Sequence, residues 1–117
     1  MTDLTLYHNP LCSKSRGALA TLEARGLTPN IVRYLETPPS AAELQLLLGK
    51  LGMSARELLR TGEELYQSLN LANAQLTEAQ LIGAMVANPK LIERPIIVVG
   101  ERAVIARQPE KILELLA

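Results

Sequence analysis

The sequence has almost no thiol and no surplus of charge. Its 117 residues include one cysteine, Cys12, so no disulfide can form within the chain and any disulfide it makes joins it to another molecule. Twelve basic side chains balance twelve acidic ones. That argues against a general binder of nucleic acid or of an anionic membrane, because both rely on excess Lys and Arg. Any anion site must be local. No apolar run is long enough to span a bilayer and no basic-then-apolar leader follows Met1, so a cytoplasmic protein is expected, in a compartment that keeps a lone thiol reduced. Internal repeats, low-complexity stretches and linkers are also absent. With 48% apolar residues the chain suits one globular domain over 1–117 with a core of its own. A monomer is expected, since no helical face demands a partner chain.

What is present centres on Leu4–Tyr7 and the loop that follows it. A short apolar strand breaks at Asn9-Pro10, delivers Cys12 and hands over to a stretch with helical spacing through Leu19 and Leu22. Cys12 therefore stands at a helix N-terminus, where free backbone N–H groups and the positive end of the helix dipole stabilise a thiolate and also bind anions. His8, Lys14 and Arg16 add cationic character to the same loop. A free cysteine is commonly a small buried hydrophobe. A strand-to-helix loop this polar is a poor place to bury one, so Cys12 reads as a nucleophile. Ser15 stands where the second cysteine of a C-x-x-C motif would be, which makes this a one-thiol site.

In chain order, the first strand leads to a helix over about Ser13 to Arg25, stopped by Gly26, and to a second strand, Asn30 to Tyr34. Strand, helix, strand implies a parallel pair. A helical insertion over 40–92 follows. Ser40–Glu43, Ser54–Glu57 and Thr77–Gln80 each form a capping box that opens a helix, and a further helical turn lies around Glu63 to Leu69. After Arg94-Pro95 the run Ile96–Val99 reads as a strand buried on both faces, Gly100-Glu101 as a type II′ turn, and Val104–Ala106 as the antiparallel return. Gln108-Pro109 then opens a last helix with Ile112, Leu113 and Leu116 facing inward. The order is βαβ, helical insertion, ββα. This predicts an α/β protein of the thioredoxin-like fold, with a mixed sheet of about four strands. By analogy with that fold Pro95 is a cis proline beside Cys12, although a trans proline that merely begins a strand is the commoner pattern.

Five separated stretches carry a resemblance over nearly the whole chain. They are Tyr7-His8-Asn9-Pro10 with Cys12, Ser15 and Arg16; Leu35-Glu36 with Pro38-Pro39-Ser40; Leu58-Leu59-Arg60; Pro89 with Leu91-Ile92 and Arg94-Pro95-Ile96; and Arg107 with Pro109-Glu110. Together they resemble the glutaredoxin-linked arsenate reductase (ArsC) family, and Cys12-Ser13-Lys14-Ser15-Arg16 resembles its compact bacterial members. The resemblance implies that Cys12 attacks arsenate and that Arg60, Arg94 and Arg107 bind the oxyanion. The chemistry agrees, since planar guanidinium forks bind tetrahedral oxyanions through paired, charge-assisted hydrogen bonds. Taken alone, each arginine reads as a solvated surface charge.

The supporting positions are His8, Ser15, Arg16 and Pro95. His8 either lowers the thiol pKa as a cation or orients the loop through a hydrogen bond. Ser15 either donates to the sulfur or caps backbone donors. Arg16 is a loop or helix-surface charge. The mechanism implied by the resemblance has the Cys12 thiolate displace water from arsenate and glutathione, as co-substrate, displace the next oxygen; glutaredoxin then reduces the adduct and arsenite leaves. It needs no metal and no bound cofactor. Two alternatives share the fold. One is an RNA polymerase-binding regulator of the Spx type, many of which carry the C-x-x-C switch that Ser15 removes here. The other is a thiol-exchange enzyme for a related oxyanion or a disulfide.

Overall fold

Residues 4–106 are described by the computed structural model. Strand β1 (Leu4–Tyr7), helix α1 (Ser13–Ala24) and strand β2 (Asn30–Val32) come first. Helices α2 (Ala41–Leu51), α3 (Ala55–Leu58), α4 (Glu64–Ser68) and α5 (Glu78–Ala87) follow, then a 3₁₀ turn at Pro89–Leu91 and strands β3 (Ile96–Val99) and β4 (Arg102–Ile105). The sheet order is β2-β1-β3-β4, with β2 parallel to β1 and the other two pairs antiparallel. This is the mixed four-stranded α/β sheet of a thioredoxin-like fold.

Alternation along the strands decides where the core lies. Leu6 pairs with Ile97 and Ile97 with Val104, while Leu4 pairs with Val99. Side chains two apart share a face, so Leu4, Leu6, Ile97, Val99 and Val104 line one side of the sheet. Ala18 and Leu22 of α1 and the buried Ala106 close over that side in a single cluster. The apolar run of β3 fits its central place, since Ile96, Ile97 and Val98 are all buried although they alternate between faces.

The bounds of two strands differ from expectation. β2 ends at Val32 instead of Tyr34, because the chain turns back on Arg33, whose carbonyl accepts the N–H groups of Glu36 and Thr37, each at 2.9 Å. β4 starts at Arg102 instead of Val104, because a two-residue turn lets Arg102 pair with Val99. Gly100 has φ +59 and Glu101 does not have a positive φ, which is the signature of the expected type II′ turn. The helix expected from Gln108, with Ile112, Leu113 and Leu116, lies outside the described residues.

Among the described residues, 4–37 and 94–106 form one compact unit, and Pro38–Glu93 form a second. In the second unit all three capping boxes are made, with Ser40 and Glu43, Ser54 and Glu57, and Thr77 and Gln80 each satisfying the other's backbone N–H. Leu44, Leu47 and Leu48 of α2, Leu58 of α3, and Leu81, Ile82 and Met85 of α5 are buried. The Glu78 carboxylate also accepts the Ala55 N–H at 2.9 Å, so one helix start caps another. No helix among the described residues is long and apolar enough to cross a membrane.

Leu22 is fully buried in the sheet cluster, whereas Leu46 on α2 is 69% exposed. Leu22→Ala should therefore lower unfolding stability by about 3 kcal/mol through lost burial and the cavity it leaves. Leu46→Ala should change it by less than about 0.5 kcal/mol. Urea unfolding of the two variants measures both, and equal losses would contradict this core.

Candidate active site

The site begins where β1 ends. Tyr7 pairs with Ile96 in antiparallel register, so the chain leaving β1 and the chain entering β3 emerge at the same end of the sheet. His8 extends the β1–β2 ladder through its N–H to the Val32 carbonyl at 2.8 Å. Asn9 then organises the loop. Its side-chain oxygen accepts the Leu11 N–H and its carbonyl accepts the Cys12 N–H, both at 3.0 Å, an Asx turn of the kind an Asn-Pro step favours. Its own N–H donates to the Ser15 hydroxyl at 3.0 Å. Arg16 donates to the Pro10 carbonyl at 3.1 Å, tying the loop to the first turn of α1.

Cys12 is the N-cap of α1, with extended backbone (φ −96, ψ 122). Its carbonyl accepts the Arg16 N–H at 3.0 Å and starts the helix, and no acidic residue stands in the first turn. The N-cap side chain makes no capping hydrogen bond to the helix start. Its sulfur lies 3.2 Å from Nε of Arg94, which donates to it across 82 residues of sequence. The side chain is buried, at 8% exposure. Burial pushes the thiol pKa up from its ordinary 9.0. The Ser15 N–H, the Arg94 hydrogen bond, the Lys14 N–H and the Arg94 charge together outweigh that and lower it.

Ser15 and His8 are buried polar groups, and each supplies the other's partner. Ser15 is fully buried and its hydroxyl lies 2.6 Å from Nδ1 of His8. The hydroxyl is thus occupied by His8 and Asn9, and what Ser15 offers the sulfur is its backbone N–H. Of the two roles expected for His8, the geometry supports the orienting hydrogen bond. Burial, the Arg33 charge and the Arg16 charge all push its pKa below the ordinary 6.5 and so disfavour the imidazolium. The tautomer with its proton on Nε2 lets Ser15 accept from Asn9 and donate to His8.

The other expected positions divide. Arg94 precedes Pro95 across a cis peptide bond, and the Pro95 carbonyl accepts the Ala106 N–H at 2.8 Å, which ties the end of β4 to the start of β3. Arg60 belongs to the helical unit. An isolated bridge pairs Leu59 with Ile92, the Arg60 N–H donates to the Leu91 carbonyl at 2.8 Å, and its guanidinium faces Glu63 at 3.4 Å and Glu93 at 3.9 Å. Arg107 lies outside the described residues. Asn9 and Arg33 were not anticipated. The Asn9-Pro10 step could have revealed the first through its turn chemistry, whereas the influence of Arg33 on His8 depends on where β2 ends. Among the described residues no cluster of His, Cys, Asp or Glu could hold a metal ion.

The family model for the ArsC family matches residues 7–115. YfgD of Escherichia coli, a protein described as uncharacterized, is 57% identical over 111 residues, covering 94% of this chain and 93% of its own. An arsenate reductase of Haemophilus influenzae is 49% identical over 112 residues, covering 95% of this chain and 97% of its own. The solved structure of an arsenate reductase from Vibrio cholerae superimposes with a TM-score of 0.93 at 49% identity, covering 96% of each chain.

Alkylation of Cys12 by iodoacetamide, followed against pH, should give a midpoint below the ordinary 9.0. Arg94→Gln should move that midpoint upward by removing both a hydrogen bond and a charge. An unchanged midpoint would show that Arg94 does not hold the thiolate. The stability contribution of a depressed thiol is present above the unfolded value of 9.0 and is lost as pH falls through the native one. For His8, also depressed, the contribution is present above 6.5 and is lost as pH falls through its native value. Both act in the same direction, so the urea midpoint should fall on acidification, and His8→Gln should flatten its lower part.

Proposed function

Because this chain belongs to the ArsC family, we propose that it is an arsenate reductase that draws its electrons from glutathione and glutaredoxin. The observation that carries the reading is the 3.2 Å contact from Arg94 Nε to Cys12 Sγ. A thiolate approaching an oxyanion meets repulsion of about 4 kcal/mol at 4 Å with an effective dielectric of about 20. A guanidinium that already touches the sulfur offsets this as the anion arrives, and its planar fork suits a tetrahedral oxyanion. The N–H groups at the start of α1 add to the same positive field. On the resemblance of their sequence motifs alone, we also assign Arg60 and Arg107 to the oxyanion.

The reaction runs in balanced steps. Cys12 Sγ attacks arsenic, an S–As bond forms and water leaves. The glutathione thiol displaces a second oxygen as water, which gives a Cys12–S–As–S–glutathione adduct. A glutaredoxin thiolate then attacks the glutathione sulfur. The new S–S bond forms as the As–S bond to glutathione breaks, and its electron pair takes arsenic from the pentavalent to the trivalent state. Water cleaves the remaining S–As bond, releases arsenite and restores the Cys12 thiol. Since Ser15 occupies the position of a resolving cysteine, both reducing thiols come from outside the chain. No metal enters these steps.

The test is arsenate-dependent oxidation of NADPH by the purified protein, coupled through glutathione reductase, glutathione and glutaredoxin. Turnover is expected, with none in Cys12→Ser and a fall of about 100-fold in kcat for Arg94→Gln, the usual effect of removing one donor to a developing anion. A folded protein whose Cys12 alkylates as a low-pKa thiol and yet shows no turnover would overturn the reading.

A further inference from the structure

Lys14, Arg16 and Arg33 are exposed cations grouped around the thiol loop. The backbone places each of them. Lys14 lies in the first turn of α1 and turns its N–H to the Cys12 sulfur. The Arg16 guanidinium is tied to the loop by its 3.1 Å bond to the Pro10 carbonyl. Arg33 follows Val32, whose carbonyl accepts the His8 N–H at 2.8 Å, so Arg33 leaves the end of β2 beside the same loop. A chain with no net charge thus gathers cations at its thiol, and none of these makes an ion pair with a described carboxylate. Their charge does not activate the thiol either. Arg33 and Arg16 act on the His8 imidazole, whereas Arg94 is the side chain whose charge lowers the pKa of Cys12. Cations grouped without counterions repel one another and attract an anion from solution.

We propose that Arg16 and Arg33, with Lys14 beside them, hold the carboxylates of glutathione while its sulfur exchanges at Cys12. The inference rests on the reading that glutathione supplies a thiol to this site. Reach and charge select the ligand. A compact oxyanion bonded to the sulfur is served by Arg94, which touches Sγ at 3.2 Å, and it does not extend to groups whose charge leaves the thiol pKa unmoved. Glutathione does extend. It carries a carboxylate at each end and its thiol on the central residue, and three residues span about 10 Å. Guanidinium forks bind carboxylates through paired, charge-assisted hydrogen bonds, and Lys14 adds a point charge. Arg33 touches no reacting atom, so it acts on the association of the thiol co-substrate.

The test uses the full-length protein and oxidised glutathione, with no arsenate and no glutaredoxin. The Cys12 thiolate attacks one glutathione sulfur, a Cys12–S–S–glutathione bond forms, the original S–S bond breaks and one glutathione leaves as a thiolate. Adduct formation is followed by mass spectrometry at about pH 8, well above the ordinary 6.5 of a histidine, so that protonation of His8 does not enter. Hydroxyethyl disulfide, which carries no carboxylate, reports on the same thiol. Arg33→Gln should lower the second-order rate with oxidised glutathione about tenfold, as expected for one lost charge-assisted contact, and leave the rate with hydroxyethyl disulfide unchanged. Arg25→Gln, which removes the same charge from the far end of α1, should change neither rate. An unchanged glutathione rate in Arg33→Gln overturns the proposal. So does an equal fall with both disulfides, which would mark Arg33 as a support of the loop, and so does an equal loss in Arg25→Gln, which would mark net charge alone. Failure to reduce arsenate would appear only in the coupled NADPH assay, so the two readings fail separately.

Discussion

The contact between Arg94 and the Cys12 sulfur is the constraint on which the site depends. The two residues are 82 apart in sequence and meet because β1 and β3 are neighbours in antiparallel register, with Tyr7 opposite Ile96. That register is held by the cluster of Leu4, Leu6, Ile97 and the α1 residues Ala18 and Leu22. A slip of one residue would turn each of these side chains to the other face. The core that stabilises the fold is therefore also what brings a cation to the thiol.

Charge at the sulfur is a balance of opposed effects. Burial in a low-dielectric setting favours the neutral thiol, and hydrogen bonds with one guanidinium favour the thiolate. The positive partners are concentrated in Arg94 and the helix start. His8, which sequence chemistry offers as a third cation, has its charged form disfavoured by burial and by Arg33 and Arg16, and it works with Ser15 and Asn9 to fix the loop. Side chains of His8, Ser15 and Asn9 fix the loop, whereas Arg94 and backbone N–H groups, that of Ser15 included, favour the thiolate.

Much of this was legible in the sequence because it is local. Capping boxes, the Gly26 stop, the Gly100-Glu101 turn and the position of Cys12 at a helix start are signalled within a few residues, and all are present in the structure. Strand ends were less legible. β2 stops early because the Arg33 carbonyl draws the chain into a turn, and no side-chain pattern marks a carbonyl. The partner of the Ser15 hydroxyl was also hidden, since a serine at a helix start can face either the sulfur or the preceding strand, and only the β1 register settles that. The nearness of Arg94 to the thiol followed from fold analogy. The direct bond to sulfur required coordinates.

The central claim is that the Cys12 thiolate, held by Arg94, bonds to arsenic. X-ray absorption at the arsenic edge, recorded on the purified protein incubated with arsenate, tests it most directly. A sulfur neighbour in the arsenic shell of the wild-type protein, absent in Cys12→Ser, is the predicted result. An arsenic shell made of oxygen alone in the wild type, with Cys12 still reactive to alkylation, would contradict it.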